Sequence, residues 1–335
     1  MKSNEKVTSL LLNYKCKYNH FVMQNINAAY SCHFYRSFKT YKNLSYPYIL
    51  NGDLKRKGSK FMLRRPDLGV LMFYEILEST ITDYYSRFKY YIYKTIPETY
   101  NYVHIVEARY INEDQCDIRI SLVFDNKIFF SEKELHDTLK FIYMLYKQIE
   151  SSLRNYIIQK LAIAHTIINN KLELVWNILL NMKIIHKYSK LFCDKINYEG
   201  NFLRKNDIVQ LIYYKGKNKN KYKAKINRCK MSSMDLTKEG VIELLFEKND
   251  EINNCPFSKA KIILRIYEYE GKCSMYILYY FINDQNYNFL DIYTKKKNKE
   301  LYKLKNIIEN YNSYDINDND CKIKYLIDEM YHKKI

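Results

Sequence analysis

Residues that interrupt regular structure are scarce in this chain. Only 7 glycines and 4 prolines occur among 335 residues, which leaves little material for long linkers or for a low-complexity segment. Hydrophobic residues make up 47% of the sequence and aromatic residues 16%, and a disordered chain has far fewer of both. The composition therefore predicts a chain that is folded over most of its length, with room for two domains.

Long apolar runs and paired cysteines are missing as well. The only early apolar run, Leu10–Leu12, is too short for the core of a secretory signal peptide, and no uncharged stretch approaches the roughly 20 residues that span a bilayer. Eight cysteines are present, but none has the Cys-x-x-Cys spacing of a zinc ribbon or a thioredoxin motif. Free thiols without a targeting signal predict a cytosolic or nuclear protein, and we expect the cytoplasm.

Catalytic and metal-binding motifs are also absent. The sequence contains no P-loop, no G-x-G-x-x-G and no G-x-S-x-G motif, which excludes the common signatures of nucleotide binding and of serine hydrolases. Cys32-His33 and the pair His186 and Cys193 lack the ligand spacing of a structural zinc site. We therefore expect no catalytic residue, no metal site and no cofactor, and a protein that is not an enzyme.

The net charge of +18 is the clearest positive feature of the composition. Lysine and arginine that neutralise phosphates favour nucleic-acid binding. Here lysine supplies most of the excess, and it is spread from Lys2 to Lys334 instead of forming an arginine-rich arm. The 36 tyrosines and the abundance of Lys, Asn and Ile are typical of an AT-rich coding sequence. Nucleic-acid binding is therefore disfavoured, and an anionic membrane suits the charge equally well.

The centre of the chain predicts a strand followed by a helix. Residues 157–168 mix β-branched residues with Leu and Ala, as strands do. Asn170 and Glu173 have the spacing of an N-cap residue and its partner at N3. Apolar residues then recur at helical spacing and predict a helix that continues, with a break, to about residue 191: Leu172, Val175, Trp176 and Leu179.

Five strands and a closing helix are predicted next. The polar stretch 215–221 is interpreted as the hairpin loop between the first two strands. The last strand is apolar on both faces, so we expect both faces to be covered. The closing helix is indicated by Leu301, Leu304, Ile308 and Tyr311. The five strands are predicted at 202–214, 222–231, 241–247, 261–270 and 273–282.

The first half of the chain repeats this order. A strand is predicted at 7–18, helices at 21–44, and strands at 60–65, 70–78, 87–95, 102–111 and 116–124. A capping box at Ser131 and Glu134 precedes a stripe that predicts a helix ending near Tyr156: Leu135, Leu139, Ile142, Tyr146, Ile149 and Leu153. The repetition indicates a duplication, with domains at 1–157 and 158–312 and a tail at 313–335 that we expect to be helical.

This order of elements is similar to that of the helix-grip fold. The segment from Ala162 through Trp176 to Leu191 resembles the opening of the START-like superfamily (SRPBCC), which includes the Bet v 1-like proteins. The resemblance covers 158–312 well and 7–157 less well. It implies an α+β fold of two tandem helix-grip units, each a curved antiparallel sheet wrapped around a long C-terminal helix. It also implies an internal apolar cavity that binds a lipid, sterol, quinone or polyketide.

A hollow second domain would be lined by residues from three elements. The candidates are Trp176 from the first helix, Tyr279 and Phe281 from the last strand, and Leu304 and Ile308 from the closing helix. They converge only if the sheet curls around that helix. On this interpretation the protein carries or senses a hydrophobic small molecule or lipid, and a carrier must also load and unload it.

Three lysines of the predicted loop are candidates for a membrane contact. Lys217, Lys219 and Lys221 would lie near the cavity mouth and attract an anionic membrane surface. Two alternatives stay open from the sequence. One is a protein-interaction module that is not an enzyme and whose cavities are filled, and the other is a basic nucleic-acid-binding protein.

Overall fold

The chain divides into two compact units, Met1–Gln159 and Lys160–Ile335. A computed structural model describes most of both units. Seven further residues are described singly, at 133, 136, 140, 143, 144, 147 and 150. The described ranges are 5–25, 28–35, 44–65, 69–97, 101–125, 161–181, 189–193, 195–200, 202–215, 218–234, 237–246, 261–281 and 287–311.

The first unit is a sheet with two short helices between its first and second strands. The seven singly described residues between 133 and 150 are all helical, and the backbone N–H of Lys15 donates to Glu150 Oε1 at 2.8 Å. The apolar stripe predicted for this helix lies outside the described residues. The elements are β1 (Glu5–Tyr14), α1 (Tyr18–Asn25), α2 (Ala28–Tyr35), β2 (Tyr48–Asn51), β3 (Lys60–Arg65), β4 (Val70–Ile81), β5 (Tyr85–Ile96), β6 (Tyr102–Asn112) and β7 (Gln115–Asp125).

The second unit has the same order and ends in a long helix. A short 3₁₀ turn, Ser189–Leu191, stands between its first helix and its second strand. The predicted tail at 313–335 lies outside the described residues. The elements are β8 (Leu161–Ile168), α3 (Leu172–Leu180), β9 (Lys195–Asn197), β10 (Ile208–Lys215), β11 (Asn218–Met234), β12 (Thr237–Phe246), β13 (Lys261–Tyr269), β14 (Lys272–Tyr280) and α4 (Tyr287–Glu309).

The two sheets have one topology. Each contains seven antiparallel strands, in the order β1-β7-β6-β5-β4-β3-β2 and β8-β14-β13-β12-β11-β10-β9. Six strands of each sheet form a meander, and the first strand pairs with the last. Two matching curved sheets, with the long helix α4 closing the second, make the fold a tandem helix-grip arrangement, as the resemblance implied.

Alternating side chains decide which face of each strand is buried. In β7 the apolar residues Ile118, Ile120, Leu122 and Phe124 are buried, as their spacing predicts. In β14 every residue from Cys273 to Tyr279 is buried, which confirms that both faces of this strand are covered. The inner face of the second sheet is the one that meets α3, where the side chains of Trp176 and Leu172 approach Gly240 of β12.

The helix α4 runs along the edge strand β8. Leu301, Leu304 and Ile308 are fully buried. β8 is the edge strand of its sheet, and its free edge bonds to a side chain of α4. The N–H of His165 donates to Asn298 Oδ1 at 3.0 Å. These contacts satisfy polar groups that an edge strand would otherwise leave to solvent.

The interpretation of residues 215–221 as a loop was wrong. β10 extends to Lys215, and β11 begins at Asn218, so Asn218–Lys221 are paired in the sheet. The stretch was mistaken for a loop because its side chains are polar, although polar residues are tolerated on a strand whose face is solvated. The short strands β2 and β9 were not predicted, and Phe202, which was assigned to a strand, forms only an isolated bridge with Asn181.

Candidate functional site

The second unit contains a small apolar cavity between the sheet and the segment that follows α3. The centre of a water molecule can move through about 10 Å³ of it, which is about enough for one water. Every lining side chain is apolar, so a water there would find no side-chain hydrogen-bond partner and an apolar group is the better occupant. The lining residues are Leu179, Phe192, Ile196, Leu203, Val209, Leu211, Ile242, Leu244 and Leu264.

The helix α3 supplies one wall of this region through its apolar face. Leu172, Trp176 and Leu179 are buried, which confirms the predicted burial of Trp176. Gly240 of β12 lies beneath the indole ring, and a Cβ built on Gly240 would be 2.7 Å from Cε3 and from Cζ3 of Trp176. A glycine at this position therefore lets the ring lie directly on the sheet.

The start of α3 is held by a carboxylate from the sheet, and not by Asn170 as predicted. The residue before the helix, Lys171, makes no capping hydrogen bond through its side chain, and Asn170 Nδ2 donates to the carbonyl of Ile308 instead. The N–H of Leu172 donates to Glu268 Oε2 at 2.7 Å. A carboxylate at a helix N-terminus also interacts favourably with the helix dipole. Glu268 of β13 is therefore part of the helix anchor.

Lys238 links this carboxylate to the helix. Its ammonium lies 2.5 Å from Glu173 Oε1 and 3.9 Å from Glu268 Oε2. Burial works to raise the pKa of Glu173, but the hydrogen bond and the charge of Lys238 outweigh it, and the pKa is lowered. The three side chains join β12, β13 and α3 at the same end of the sheet.

Two buried side chains, those of Tyr279 and Lys297, hold the 3₁₀ turn Ser189–Leu191. The hydroxyl of Tyr279 donates to the carbonyl of Leu191 at 2.9 Å. Lys297 of α4 donates to the carbonyls of Lys190 and Leu191 at 2.7 and 3.1 Å. Because Phe192 of the same segment lines the cavity, these hydrogen bonds fix one wall of the cavity in place.

The Lys297 ammonium lies near two tyrosine rings. It lies 5.3 Å from the ring centroid of Tyr279 and 5.4 Å from that of Tyr293, within the range of a cation–π interaction. Burial, followed by the proximity of Tyr293 and Glu300, raises the pKa of Tyr279 well above its usual value. Phe281 packs edge-on against Tyr293 and Phe289. We call the set Tyr279, Phe281, Phe289, Tyr293 and Lys297 the aromatic cluster.

The five predicted lining residues fall into separate places. Tyr279 and Phe281 belong to the aromatic cluster, Trp176 contacts the sheet at Gly240, and Leu304 and Ile308 are buried in α4. All five are buried in the second unit, and none is among the nine residues that line the cavity described above. Sequence reasoning missed the cavity residues of β9, β10 and β12, although the apolar alternation of Ile242 and Leu244 in β12 was visible.

The predicted membrane lysines are only partly described. Lys217 lies outside the described residues, and Lys219 is described only through its backbone, which pairs with Tyr214 in the sheet. Lys221 lies on β11 with an exposed side chain. Lys219 and Lys221 therefore lie on a paired strand and not in a loop.

The described part of the chain shows neither a metal-binding cluster nor a membrane-spanning helix. Among those that the structure describes, no three His, Cys, Asp or Glu side chains come together as a metal site would require. No described helix is long and apolar enough to cross a bilayer. The expectation that the protein is not an enzyme stays a prediction.

Comparisons with known proteins give similarities at the level of fold. No protein-family model and no curated protein matches the chain. The crystal structure of Ara h 8.0201 is 9% identical, with a TM-score of 0.37, and covers 45% of this chain and 99% of its own. The di-domain ARO/CYC StfQ from the steffimycin biosynthetic pathway is 6% identical, with a TM-score of 0.36, and covers 90% and 98%. A START superfamily protein from Mycobacterium smegmatis is 8% identical, with a TM-score of 0.32, and covers 44% and 97%. At these values the fold assignment depends on the strand order of the chain itself.

Proposed function

We propose that this tandem helix-grip protein binds, and hands on, a hydrophobic small molecule of lipid, sterol or quinone type in its second unit. The observation that carries the proposal is the cavity whose nine lining side chains are all apolar. Ligand sites for hydrophobic molecules are lined mainly by such side chains. The six described cysteines are free thiols, which suits a protein of the reducing cytoplasm.

A space of about 10 Å³ for the centre of a water molecule cannot hold a lipid chain, so a ligand must displace part of the wall. The segment Ser189–Cys193 is the part of the wall that lies outside the sheet, and its movement would require that its hydrogen bonds to Tyr279 and Lys297 break. Tyr279 and Lys297, which hold its carbonyls, would then control entry and not line the ligand.

The test is uptake of a fluorescent fatty acid by the full chain, together with native mass spectrometry of gently purified protein. Leu211→Ala enlarges the cavity, and we expect it to increase uptake, because an apolar cavity that stays dry takes up apolar molecules. Leu278→Ala is the matched control, since Leu278 is equally buried but does not line the cavity. Both changes should cost roughly 2–5 kcal/mol of stability, so only uptake distinguishes them.

Val209→Ile adds one methylene group to the cavity lining and should have the reverse effect, lowering uptake by filling the space. A protein that is empty in the mass spectrometer, and whose uptake is the same in all of these variants, would contradict the proposal.

A protein-interaction role is the second candidate, and the tight packing of the aromatic cluster favours it. Phe281, Phe289 and Tyr293 lie with their ring centroids 5.2–5.8 Å apart, at the spacing of a filled core. If the second unit is filled in this way throughout, ligand uptake will be absent from every variant, and the outer surface will carry the function.

A further inference from the structure

The outer face of β11 carries a row of lysines. Lys221, Lys223 and Lys225 are exposed, whereas Tyr222, Ala224 and Ile226, which alternate with them, are buried. Alternate residues of a strand lie on one face about 6.6–6.8 Å apart. The three ammonium groups are therefore close enough to repel one another at physiological salt, where the screening length is about 8 Å. We call these three residues the lysine row.

Neighbouring strands extend this surface without adding negative charge. Lys195 of β9 lies in line with Lys221, and Ile212 of β10, which stands between them, is buried. In line with Lys223 are the amides Gln210 and Asn197, which hydrogen-bond to each other. No acidic side chain occurs in these cross-strand rows among the described residues of β9, β10 and β11.

Exposed aliphatic side chains lie on both sides of Lys225. Ile208 of β10 and Leu245 of β12 are its cross-strand partners, and they are 55% and 42% exposed. The surface ends near Arg228, whose Nε lies 3.3 Å from Glu243 Oε2. The lysine row therefore combines positive charge with accessible apolar surface.

The first sheet shows that this arrangement does not follow from composition. There β4 occupies the position that β11 has in the second sheet. It contributes Glu75 and Glu78, which lie 3.6 and 3.5 Å from the cationic nitrogens of Lys60 and Arg87. A lysine-rich coding bias acts on both sheets alike, yet Lys221, Lys223 and Lys225 have no carboxylate partner among the described residues, unlike Lys60 and Arg87 of the first sheet.

We infer that the outer face of β9, β10 and β11 docks on an anionic lipid bilayer. Acidic headgroups would relieve the repulsion within the lysine row, and Ile208 and Leu245 would enter the interfacial layer, as apolar side chains of peripheral proteins do. A single-stranded nucleic acid fits less well, because such sites use exposed aromatic rings for base stacking and Tyr222, the tyrosine between Lys221 and Lys223, is buried. The inference does not depend on whether the cavity holds a ligand.

The test is co-sedimentation of the full-length protein with vesicles made of equal parts phosphatidylserine and phosphatidylcholine, or of phosphatidylcholine alone. We expect binding to the acidic vesicles only, weakening as salt is raised. The triple change Lys221→Gln, Lys223→Gln and Lys225→Gln should lower the partition coefficient on the order of 100-fold, at about fivefold for each lysine.

The matched control removes three exposed lysines elsewhere: Lys55→Gln, Lys57→Gln and Lys299→Gln. It changes the net charge by the same amount as the first triple. Because salt limits the effect of each lysine to its immediate surroundings, the control should alter vesicle binding by less than about threefold. The pair Ile208→Asn and Leu245→Asn should weaken vesicle binding without changing its salt dependence. Fluorescence of Trp176 verifies that each variant is folded.

Two results would overturn the inference. One is equal loss of vesicle binding in both lysine triples, which would mean that net charge alone acts. The other is tight binding of oligouridine that the first triple abolishes, together with no binding to acidic vesicles, which would assign the surface to RNA. Native mass spectrometry of the first triple separates the two proposals, because loss of vesicle binding should leave any retained ligand in place.

Discussion

Gly240 and Trp176 provide a direct test of how the second unit is packed. A Cβ on Gly240 would lie 2.7 Å from two ring atoms of Trp176, closer than carbon atoms approach in proteins, and the indole is buried and cannot swing into solvent. The backbone of Gly240 is not in the left-handed region, so alanine is conformationally allowed there. The cost of Gly240→Ala is therefore steric, about 1–3 kcal/mol for an overpacked core.

The same substitution should change sign when the ring is removed. Without a clash, Gly→Ala at a compatible position stabilises by about 0.4–1 kcal/mol, because the unfolded chain loses conformational freedom. In a Trp176→Leu background, Gly240→Ala should therefore be neutral or stabilising. The coupling energy between the two positions should reach about 1.5–3 kcal/mol, which lies in the range measured for residues in contact.

Urea denaturation followed by circular dichroism measures all four members of this cycle. Gly271→Ala is the control, because Gly271 has a φ of +74° and an added Cβ would have no atom within 4 Å. It should cost about 1 kcal/mol through backbone strain alone, by the same amount with or without Trp176. A cost for Gly240→Ala that persists in the Trp176→Leu background would refute the packing described here.

Three further predictions concern ionisable groups. Burial and a hydrogen bond from its hydroxyl to Asp207 raise the pKa of Tyr198 to about 12, above its unfolded value of about 10. The neutral phenol thus stabilises the folded state below pH 10, and this stabilisation is lost between pH 10 and 12. Tyr198→Phe should therefore reduce the change in unfolding free energy over that pH range. An unchanged dependence of the unfolding free energy on pH would contradict the prediction. Glu268→Ala should destabilise the second unit by about 1 kcal/mol, and Glu268→Gln by less because it keeps an acceptor, as thermal melts of both variants would show. Burial raises the pKa of the Cys273 thiol, and Glu268 adds to the effect. A thiol reagent should therefore label Cys273 only after unfolding, as peptide mapping of protein that carries Cys255→Ser and Cys321→Ser would show. Rapid labelling of Cys273 in that protein in its native state would mean that β14 is accessible and would contradict the prediction.

Local patterns were sufficient to predict the fold class. Alternation such as that of Ile118, Ile120, Leu122 and Phe124 fixes which face of a strand is buried, and it needs no knowledge of the partner strand. The same holds for the apolar face of α3, where Trp176 is buried as predicted. The strand order then followed from the resemblance, since a meander of hairpins with a closing helix has few alternative arrangements.

Features that depend on distant residues could not be predicted in this way. The anchor of α3 comes from Glu268, which is 96 residues away from Leu172 along the chain, so Asn170 was the natural but wrong choice. The edge strand β9 has three residues, too few for a period to be visible, and it exists because β10 offers hydrogen bonds to it. The lysine row was visible in sequence as Lys221, Lys223 and Lys225, but Lys221 was assigned to a loop and only Lys223 and Lys225 to the strand predicted at 222–231.

The cavity was beyond any sequence pattern for a different reason. Its volume is the small difference between the space inside a curved sheet and the side chains that fill it. A single methylene changes that difference by an amount comparable to the whole, so the volume depends on rotamers and not on residue types alone.

The pairing of the first strand with the last has a consequence for how the chain folds during synthesis. In the first unit Glu5 pairs with Asp125, and in the second Leu161 pairs with Tyr280, so neither sheet can close until almost all of its unit has left the ribosome. Pairings this distant in sequence carry a large loop-closure cost and slow folding. The first unit can complete its sheet while the second is still being translated, but each first strand waits with an unpaired edge, β1 for β7 and β8 for β14. A chaperone that shields single strands would therefore have most effect if it bound β1 and then β8.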